Sequence, residues 1–393
     1  MLAKVGVSAV ERCASEHAGG EMRIEFDTGP LQGGSLFQKP KETVFAHTPG
    51  EVAGAFARLE AALAEGFWIA GAFSYELGYC FEPRLLPLLP ETRDVPLLEV
   101  GIYEAPEPLP VRESLNKGST DKQPLWDTTR YAEAFDAVAR YIRAGDIYQA
   151  NLTFPLALTS DLTPRALYDR LKARQPVGSG ALIERPDGSA VLSRSPELFY
   201  ETDGAGGITV RPMKGTVPRG ATPEEDAASK DWLAASEKNQ AENLMIVDLL
   251  RNDLSRVSEV GSVKVPKLFE IESYATVHQM TSTVTARLLP EIGLYDRFRA
   301  LFPCGSVTGA PKIRAMQIIH ELEAGPRGHY CGSIGWAAPD GRSSFNVAIR
   351  TLEMAEGRAR LHVGGGVVYD SEAQSEYDEA LLKSRFADLE PLL

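Results

Sequence analysis

The run Ile208-Thr209-Val210-Arg211-Pro212-Met213-Lys214-Gly215-Thr216 is the stretch around which the predicted fold is built. Its β-branched residues are typical of a strand, and Pro218-Arg219-Gly220 just after it is typical of a turn. The pattern predicts a strand that ends in a tight loop at Lys214. Such a strand end can aim a reacting group, and the glycine beside it lets a substrate approach the backbone. An exposed lysine at a turn is the alternative interpretation.

Strand-like and helical segments mix irregularly on both sides of this run. Hairpin turns are frequent, and strict βαβ alternation is absent. The sequence therefore predicts an α+β fold of largely antiparallel sheets packed with helices. The other predicted segments are helices at about 50–65, 129–144, 164–174 and 223–254, a helix that ends at Leu322, and a hairpin of strands at about 330–338 and 344–353.

Composition divides the chain of 393 residues into four segments. Residues 1–20 are predicted to form a short leader, and 21–112 an N-terminal region of mixed helix and strand. The polar stretch 113–127 is predicted to be a linker or mobile loop. Residues 128–393 form the main region, against which the N-terminal region is expected to pack as one unit.

Charge and apolar patterning exclude several classes of partner. The formal net charge of −13 disfavours nonspecific binding of nucleic acid or of an anionic membrane. No run of about 18 apolar residues is present, so no membrane-spanning helix is expected. The four cysteines (Cys13, Cys80, Cys304 and Cys331) are far apart and form no CxxC pair. They indicate neither a zinc site nor a disulfide framework, and a reducing cytoplasm is the simplest setting.

Carboxylates on two predicted helices suggest a divalent cation. Glu242 lies on one helix, and Glu376 and Glu379 lie three residues apart on one face of another. Mg²⁺ commonly takes one or two protein carboxylates together with substrate oxygens. Solvated glutamates on helix faces are the alternative.

Two glycine-rich loops and two strand residues are further candidates for anion binding. Gly305-Ser306-Val307-Thr308-Gly309 precedes a helix start, where backbone N–H groups and Lys312 can hold an anion. Gly364-Gly365-Gly366 follows a strand and permits close backbone approach. Both are also compatible with plain structural turns.

Tyr330 and Arg350 are predicted on the two arms of the hairpin. An arginine in a run as apolar as Phe345-Asn346-Val347-Ala348-Ile349 is expected to pair with an anion. An internal salt bridge to a glutamate is the alternative. His278, alone in a strand, is by itself interpreted as a structural hydrogen-bonding residue.

Together these signals resemble the chorismate-binding family over about residues 128–388, and residues 22–110 resemble its short N-terminal region. The motifs that carry the resemblance are GDIYQANLT (145–153), SRSPELF (193–199), RPMKGT (211–216), AENLMIVDLLRNDLSRV (241–257), CGSVTGAPKIRAM (304–316), CGSIGW (331–336), AIRT (348–351), GGGVVYDS (364–371) and SEYDE (375–379).

Two positions divide the activities within that family. Members that use water as nucleophile have a lysine where this chain has Gln149, and members that form anthranilate have Pro-Ile-Ala where this chain has Pro212-Met213-Lys214. The resemblance therefore implies replacement of the C4 hydroxyl of chorismate by ammonia, which gives 4-amino-4-deoxychorismate. Retained geometry at C4 implies two displacements. By resemblance, Lys214 attacks C2 while Glu197 protonates the departing hydroxyl; Lys214 must be neutral for this, which burial or a nearby Mg²⁺ would favour.

The resemblance also implies the remaining site residues. Glu242, Glu376 and Glu379 match Mg²⁺-binding carboxylates, whereas Asn239 stands where some members have another acid. Tyr330 and Arg350 match the pocket for the enolpyruvyl carboxylate. The other positions that match substrate-contacting residues are Gln149, Gly215, Thr216, His278, Ser306, Thr308, Lys312, Gly364 and Gly366.

Ammonia requires a source, and no stretch around the four cysteines resembles a glutaminase. A separate glutamine amidotransferase partner is therefore expected. Two alternatives stay open at this point: a member that forms anthranilate, and an inactive chorismate-binding scaffold for a glutaminase.

Overall fold

A computed structural model describes residues 21–111, 117–274, 277–323 and 325–390, so the predicted leader 1–20 lies outside the described part. The helices α1 to α8 in these ranges are Pro49–Ala64, Thr128–Arg143, Pro164–Arg174, Pro223–Ala235, Glu237–Ser255, Leu294–Leu301, Lys312–Leu322 and Ala373–Lys383. The strands β1 to β20 are Arg23–Phe26, Ser35–Phe37, Glu42–Ala46, Trp68–Phe73, Leu98–Tyr103, Glu107–Pro108, Thr120–Pro124, Gln149–Ser160, Ser179–Glu184, Ala190–Ser195, Leu198–Asp203, Gly207–Arg211, Met213–Pro218, Lys264–Ser273, Val277–Arg287, Gly309–Ala310, Ser333–Ala337, Arg342–Asn346, Thr351–Ala355 and Arg358–Val367.

The strands form two large sheets, and every pairing between named strands is antiparallel. The first sheet has the order β16-β8-β20-β19-β10-β9-β1-β2-β6, with β7 beside β8, and the second has the order β13-β15-β12-β11-β18-β17-β4-β5-β3, with β14 beside β15. The predicted α+β fold with largely antiparallel sheets is confirmed. In the described part of the chain, no helix is long and apolar enough to cross a membrane.

Three apolar cores pack the two sheets and the helices against one another. One core lies between the second sheet and helices α1, α5 and α6, and another between the first sheet and helices α2, α3, α7 and α8. The third is formed where the inner faces of the two sheets meet, and it includes Ile24, Ile183, Ala72, Ile334 and Trp336. The chain is therefore a stack of helices, sheet, sheet and helices. Burial of apolar surface in these cores holds each strand end in a defined place.

Strands of the N-terminal region continue both sheets. Strand β1 pairs with β9 in the first sheet, and β4 pairs with β17 in the second. The prediction of a linker at 113–127 is wrong over Thr120–Pro124, because these residues form β7 and pair with β8. Trp126, just after β7, is buried. Polar composition misled the prediction here because an edge strand exposes one of its sides.

The long helix predicted over about 223–254 is two helices. Ser236 has an extended backbone between α4 and α5, and its hydroxyl accepts a hydrogen bond from the N–H of Asn239. This is the usual chemistry of a helix N-cap, so α5 starts anew at Glu237. The break changes the direction of the chain directly before Asn239 and Glu242.

The hairpin is real but shorter than predicted. Its arms are β17 and β18, paired from Gly335 opposite Phe345 to Ala337 opposite Ser343. Tyr330 and Arg350 therefore lie beyond the arms, which corrects the prediction. The chain then crosses to the other sheet at β19, and Arg350 has a positive φ of 50° at that crossing. A non-glycine residue in this backbone region is uncommon and is held by its surroundings.

Candidate active site

Lys214 lies inside strand β13, not in a loop after a strand, which corrects the sequence prediction. The pairing of β13 with β15 shifts register between Met213 and Thr216, so Lys214 and Gly215 form a bulge. Gly215 has a φ of 88°, and a methyl group on it would lie 2.9 Å from the Asn239 side-chain oxygen. A glycine is therefore required beside Lys214, and the bulge directs the lysine out of the regular ladder.

The amine of Lys214 lies close against two paired strands of the other sheet, β8 and β20. A methyl carbon placed on Gly366 would be 2.7 Å from Lys214 Nζ and 2.8 Å from Gln149 Nε2. Gln149 begins β8, and Gly366 pairs with Asn151 of that strand. The Gln149 amide is fully buried, and neither its oxygen nor its nitrogen has a hydrogen-bond partner among the described residues. Such a group is costly to bury unless a ligand satisfies it.

Replacing Gly366 by alanine is expected to lower kcat by about 10²-fold, because the added methyl group would displace the Lys214 amine. The clash is with the ends of two side chains and not with backbone, so the unfolding temperature should change little. Steady-state kinetics and thermal unfolding test this. Gly54→Ala, on helix α1 with open space around it, is the matched control. An unchanged kcat in Gly366→Ala would contradict this placement of the amine.

Glu197 is a buried carboxyl group on which the charge of Lys214 acts. Burial raises its pKa to about 7, against smaller opposing effects from the Ser306 hydroxyl, the Lys214 charge, the Met213 N–H and Arg350. Its Oε1 has no partner among the described residues. A carboxyl group with this pKa holds a proton at neutral pH often enough to donate it, which fits a general acid.

Arg350 presents a guanidinium that lacks a counter-ion. Within the described residues it has no hydrogen-bond or ion-pair partner, so the internal salt bridge considered from the sequence is not found. Arg350 lines a small cleft with Pro196, Tyr274 and Gln279. Burial lowers its pKa, and the nearby Tyr274 and Glu197 oppose that shift. A largely buried, unpaired guanidinium is suited to a carboxylate ligand.

Tyr330 lies on the segment that is hydrogen-bonded to the one bearing Arg350. The N–H of Cys331 donates to the carbonyl of Ala348, and the N–H of Ala348 donates to the carbonyl of Gly332. Tyr330 itself is buried, with its ring centroid 5.4 Å from that of His362. The crossing between the sheets, and not a hairpin, brings these two predicted site residues into one neighbourhood.

His278 is a structural residue, and its neighbour Gln279 faces the cleft. His278 Nδ1 is 2.8 Å from Ser273 Oγ, and its Nε2 is 3.0 Å from Asp226 Oδ1. Gln279 lines the cleft beside Arg350 and donates to the Thr216 hydroxyl at 3.3 Å. Successive side chains of a strand point to opposite faces, so the two residues cannot share a role. These contacts do not support the assignment of His278 to the substrate site, which stays a prediction, and the sequence analysis missed Gln279.

Lys312 binds an internal partner instead of an external anion. Its Nζ donates to Asp253 Oδ2 at 2.7 Å and to the carbonyl of Leu301 at 3.0 Å. Thr308 is fully buried, and its hydroxyl donates to backbone carbonyls of Cys304 and Gly305. These internal bonds do not support the predicted roles of Lys312 and Thr308 in anion binding, which stay predictions. Ser306 lies near enough to Glu197 to lower the pKa of that carboxyl group, and its hydroxyl donates to Cys304 Sγ at 3.2 Å.

The predicted metal carboxylates come together only in part. Glu376 is buried and accepts from the Ser371 hydroxyl at 2.7 Å, while Glu379 pairs with Lys383 at 2.8 Å. Burial raises the pKa of Glu376, and the Glu379 charge adds to that shift. Among the described residues, no group of three His, Cys, Asp or Glu side chains is arranged to hold a metal ion. Glu242 is thus not drawn into one cluster with Glu376 and Glu379.

Lys214 links these carboxylates to the buried acid. Its charge lowers the pKa of Glu379, after the larger effect of Lys383, and it also acts on Glu197. The amine is therefore near enough to Glu197 and Glu379 for its charge to act on both, and it lies beside Gln149 and Gly366. The sequence analysis predicted Lys214, Glu197, Glu379, Gln149 and Gly366 as site residues. It missed Lys383 and Ser371, although the spacing of Glu379 and Lys383 is a known signal for a helix ion pair.

A second, larger cavity of about 360 Å³ opens between the two sheets. Phe26 and Trp336 form part of its wall, and Pro196, Met213 and Tyr274 line it at the side nearest Glu197 and Lys214. Pro196 and Tyr274 also line the cleft that contains Arg350, so the cavity and the cleft adjoin each other.

The model of the chorismate binding enzyme family matches residues 34–387. The chain belongs to the chorismate-binding enzyme family. It is 45% identical over 279 residues to an aminodeoxychorismate synthase of Streptomyces griseus, an alignment that covers 71% of this chain and 38% of that protein. It is 37% identical over 343 residues to aminodeoxychorismate synthase component 1 of Salmonella typhimurium, covering 80% of this chain and 74% of the relative.

The fold of the family is also found in solved structures. Anthranilate synthase component I from Streptococcus pneumoniae superposes with a TM-score of 0.77 at 25% identity, over 98% of this chain and 94% of that chain. Several curated relatives are much longer than the matched part, since the chain spans 38%, 36% and 56% of three of them.

Proposed function

We propose that this family member converts chorismate and ammonia into 4-amino-4-deoxychorismate through a covalent intermediate on Lys214. One observation carries the proposal: a half-buried lysine lies beside a fully buried amide that has no hydrogen-bond partner among the described residues, and its charge acts on a carboxyl group of pKa about 7. The names of the aminodeoxychorismate synthases to which the chain is similar support the same reaction.

The first displacement would use Lys214 and Glu197. The lysine nitrogen bonds to C2 of the ring, both ring double bonds shift (C1=C2 to C1=C6 and C5=C6 to C4=C5), and the bond between C4 and its oxygen breaks. Glu197 gives its proton to the departing hydroxyl, which leaves as water. In the second displacement ammonia bonds to C4, both double bonds shift back, and the lysine nitrogen leaves C2. Two displacements return the nitrogen to the face that the oxygen left.

Gln149 and Arg350 would orient the reactants. The amide of Gln149 is close to the Lys214 amine, so its oxygen can accept a hydrogen bond from the amine or from incoming ammonia. Because Gln149 is not a base, it does not activate water. Arg350 would bind the enolpyruvyl carboxylate in the cleft that it shares with Gln279, and Tyr330 lies on the adjoining segment.

Glu376 and Glu379 would hold Mg²⁺, with Glu242 contributing from α5. The donors are hard carboxylate oxygens, and a cation already occupies their neighbourhood, since the Lys383 ammonium pairs with Glu379. A bound Mg²⁺ supplies positive charge for the ring carboxylate of chorismate. It would also favour the neutral form of Lys214, whose charge interacts with Glu379.

A glutamine amidotransferase would supply the ammonia. The similarity to a protein named component 1 supports a partner subunit. The three cysteines that the structure describes are free, and those at 304 and 331 are buried with raised pKa values of about 12, which does not suit a glutaminase nucleophile.

Product identification tests the proposal. The protein is incubated with chorismate, ammonium and Mg²⁺, with and without an added aminodeoxychorismate lyase. We expect 4-aminobenzoate only when the lyase is present. Fluorescent anthranilate without the lyase would support the anthranilate-forming alternative, and no turnover with or without an amidotransferase would support the scaffold alternative.

Replacing Arg350 by alanine is expected to raise the KM for chorismate more than tenfold, because a buried carboxylate would lose its charge-assisted partner. The effect on kcat should be smaller, since Arg350 is assigned to binding. Arg342→Ala is the control, because Arg342 pairs with Asp340 at the surface. An unchanged KM would contradict the assigned role.

A further inference from the structure

The ammonium group of Lys383 is paired with one of the two carboxylates proposed above to hold Mg²⁺. Its Nζ donates to Glu379 Oε1 at 2.8 Å and to the carbonyl of Gly364 at 3.0 Å. A methyl carbon on Gly365 would lie 3.5 Å from this Nζ and 3.1 Å from Glu376 Oε2. Lys383 therefore lies near both carboxylates of α8 and against the glycines of strand β20.

We propose that Lys383 is an internal counter-ion that competes with Mg²⁺ for Glu379 and so sets the metal affinity of this site. The inference rests on the proposed function only in taking Glu376 and Glu379 as the metal ligands. A divalent cation that binds Glu379 Oε1 must displace the ammonium from it, because one carboxylate oxygen cannot bind both closely. The pair has the i,i+4 order, glutamate before lysine, that is favoured on a helix.

The exposure of the Lys383–Glu379 ion pair indicates that Mg²⁺ can displace the ammonium at a modest free-energy cost. The side chains of Lys383 and Glu379 are 37% and 55% exposed, so water screens their attraction and can receive the displaced ammonium. Glu376 keeps its hydrogen bond from Ser371 through Oε1, which leaves Oε2 on the side of Gly365. Without a metal ion, Lys383 neutralises one of two adjacent negative charges.

Calorimetric titration of the protein with MgCl₂, without chorismate, tests the proposal. Lys383→Met is expected to bind Mg²⁺ roughly three- to tenfold more tightly than the wild type, a range set by the strength of half-exposed ion pairs. Lys238→Met is the matched control, because the Lys238 charge acts on both glutamates but no hydrogen bond joins it to them in the described structure. Its effect should be smaller than that of Lys383→Met. Circular dichroism checks that both variants are folded.

A second measurement needs no variant. In the wild type, Mg²⁺ should raise the rate at which an acylating reagent modifies Lys383 at least about threefold, as mapped by mass spectrometry, because the ammonium loses its partner. Lys172, which pairs with Asp27, should react at an unchanged rate.

Weaker or equal Mg²⁺ binding in Lys383→Met, an effect no larger than that of Lys238→Met, or unchanged acylation of Lys383 would overturn the proposal. So would a failure of both the wild type and the variant to bind Mg²⁺. Because no substrate is present in either experiment, such results would leave the amination proposal to be judged by its own product assay.

Discussion

Replacing Lys214 by alanine is expected to lower kcat for 4-amino-4-deoxychorismate formation at least about 10³-fold, because the variant has no nucleophile for the first displacement. Chorismate should still bind within about tenfold of its normal affinity, since Arg350 and the carboxylates of α8 are retained. Rapid-quench kinetics and equilibrium binding measure the two effects separately. Lys267→Ala, at a surface ion pair with Glu270, should behave as the wild type.

The covalent intermediate can also be observed directly. Without ammonia, the wild type exposed to chorismate should gain the mass of chorismate less one water, located on the peptide that contains Lys214. The alanine variant should show no such adduct. Full activity of the variant, or an adduct on another residue, would remove Lys214 from the mechanism.

Replacing Glu197 by glutamine is expected to lower kcat by about 10² to 10⁴, because the amide cannot protonate the departing hydroxyl. In the wild type, kcat/KM should fall as pH rises above about 7, where the buried Glu197 loses the proton that it must donate. The glutamine variant should lose this limb of the profile. If it kept the limb, another group would be the acid.

The same substitution should change how stability depends on pH. Burial raises the pKa of Glu197 to about 7 from an ordinary value of 4.5, so the folded state binds the proton more tightly than the unfolded state. Tighter proton binding by Glu197 therefore contributes to the free energy of unfolding at low pH, and this contribution is lost as pH rises from about 4.5 to 7. Burial raises the pKa of Glu76 to about 7 as well, so only the difference between wild type and variant isolates Glu197. Denaturant unfolding at pH 5 and pH 8 measures this difference in the free energy of unfolding between the wild type and the glutamine variant.

Local patterns predicted the parts of the fold that depend on near neighbours. Helix α3 was predicted with its exact bounds, and α1 and α2 within one residue, because apolar periodicity and capping residues are local signals. The sequence analysis missed the break between α4 and α5, because a serine such as Ser236 is compatible both with an exposed helix position and with a helix N-cap. Only the extended backbone of Ser236 in the structure distinguishes the two.

The sequence motif does not show which face of the strand each of its residues occupies. His278 and Gln279 are adjacent in one matching segment, and only the pairing of β15 with β13 and β14 shows which of them faces the cleft. A shift of one residue exchanges the two faces of a strand, so a resemblance in sequence position does not show which side chain faces a site. The ion pair of Lys312 could not be predicted either, because its partner Asp253 lies 59 residues away.

The sequence by itself determined the fold class, the family and the candidate reacting groups, because residue types, turns and motif spacing are properties of the linear chain. The tertiary structure decided which of those candidates meet. It placed Lys214 at a bulge beside Gly366 and near Glu197, left Arg350 without a counter-ion among the described residues, and paired Lys383 with Glu379. Burial, unsatisfied polar atoms and competing charges depend on neighbours that are distant in sequence, and no local pattern carries them.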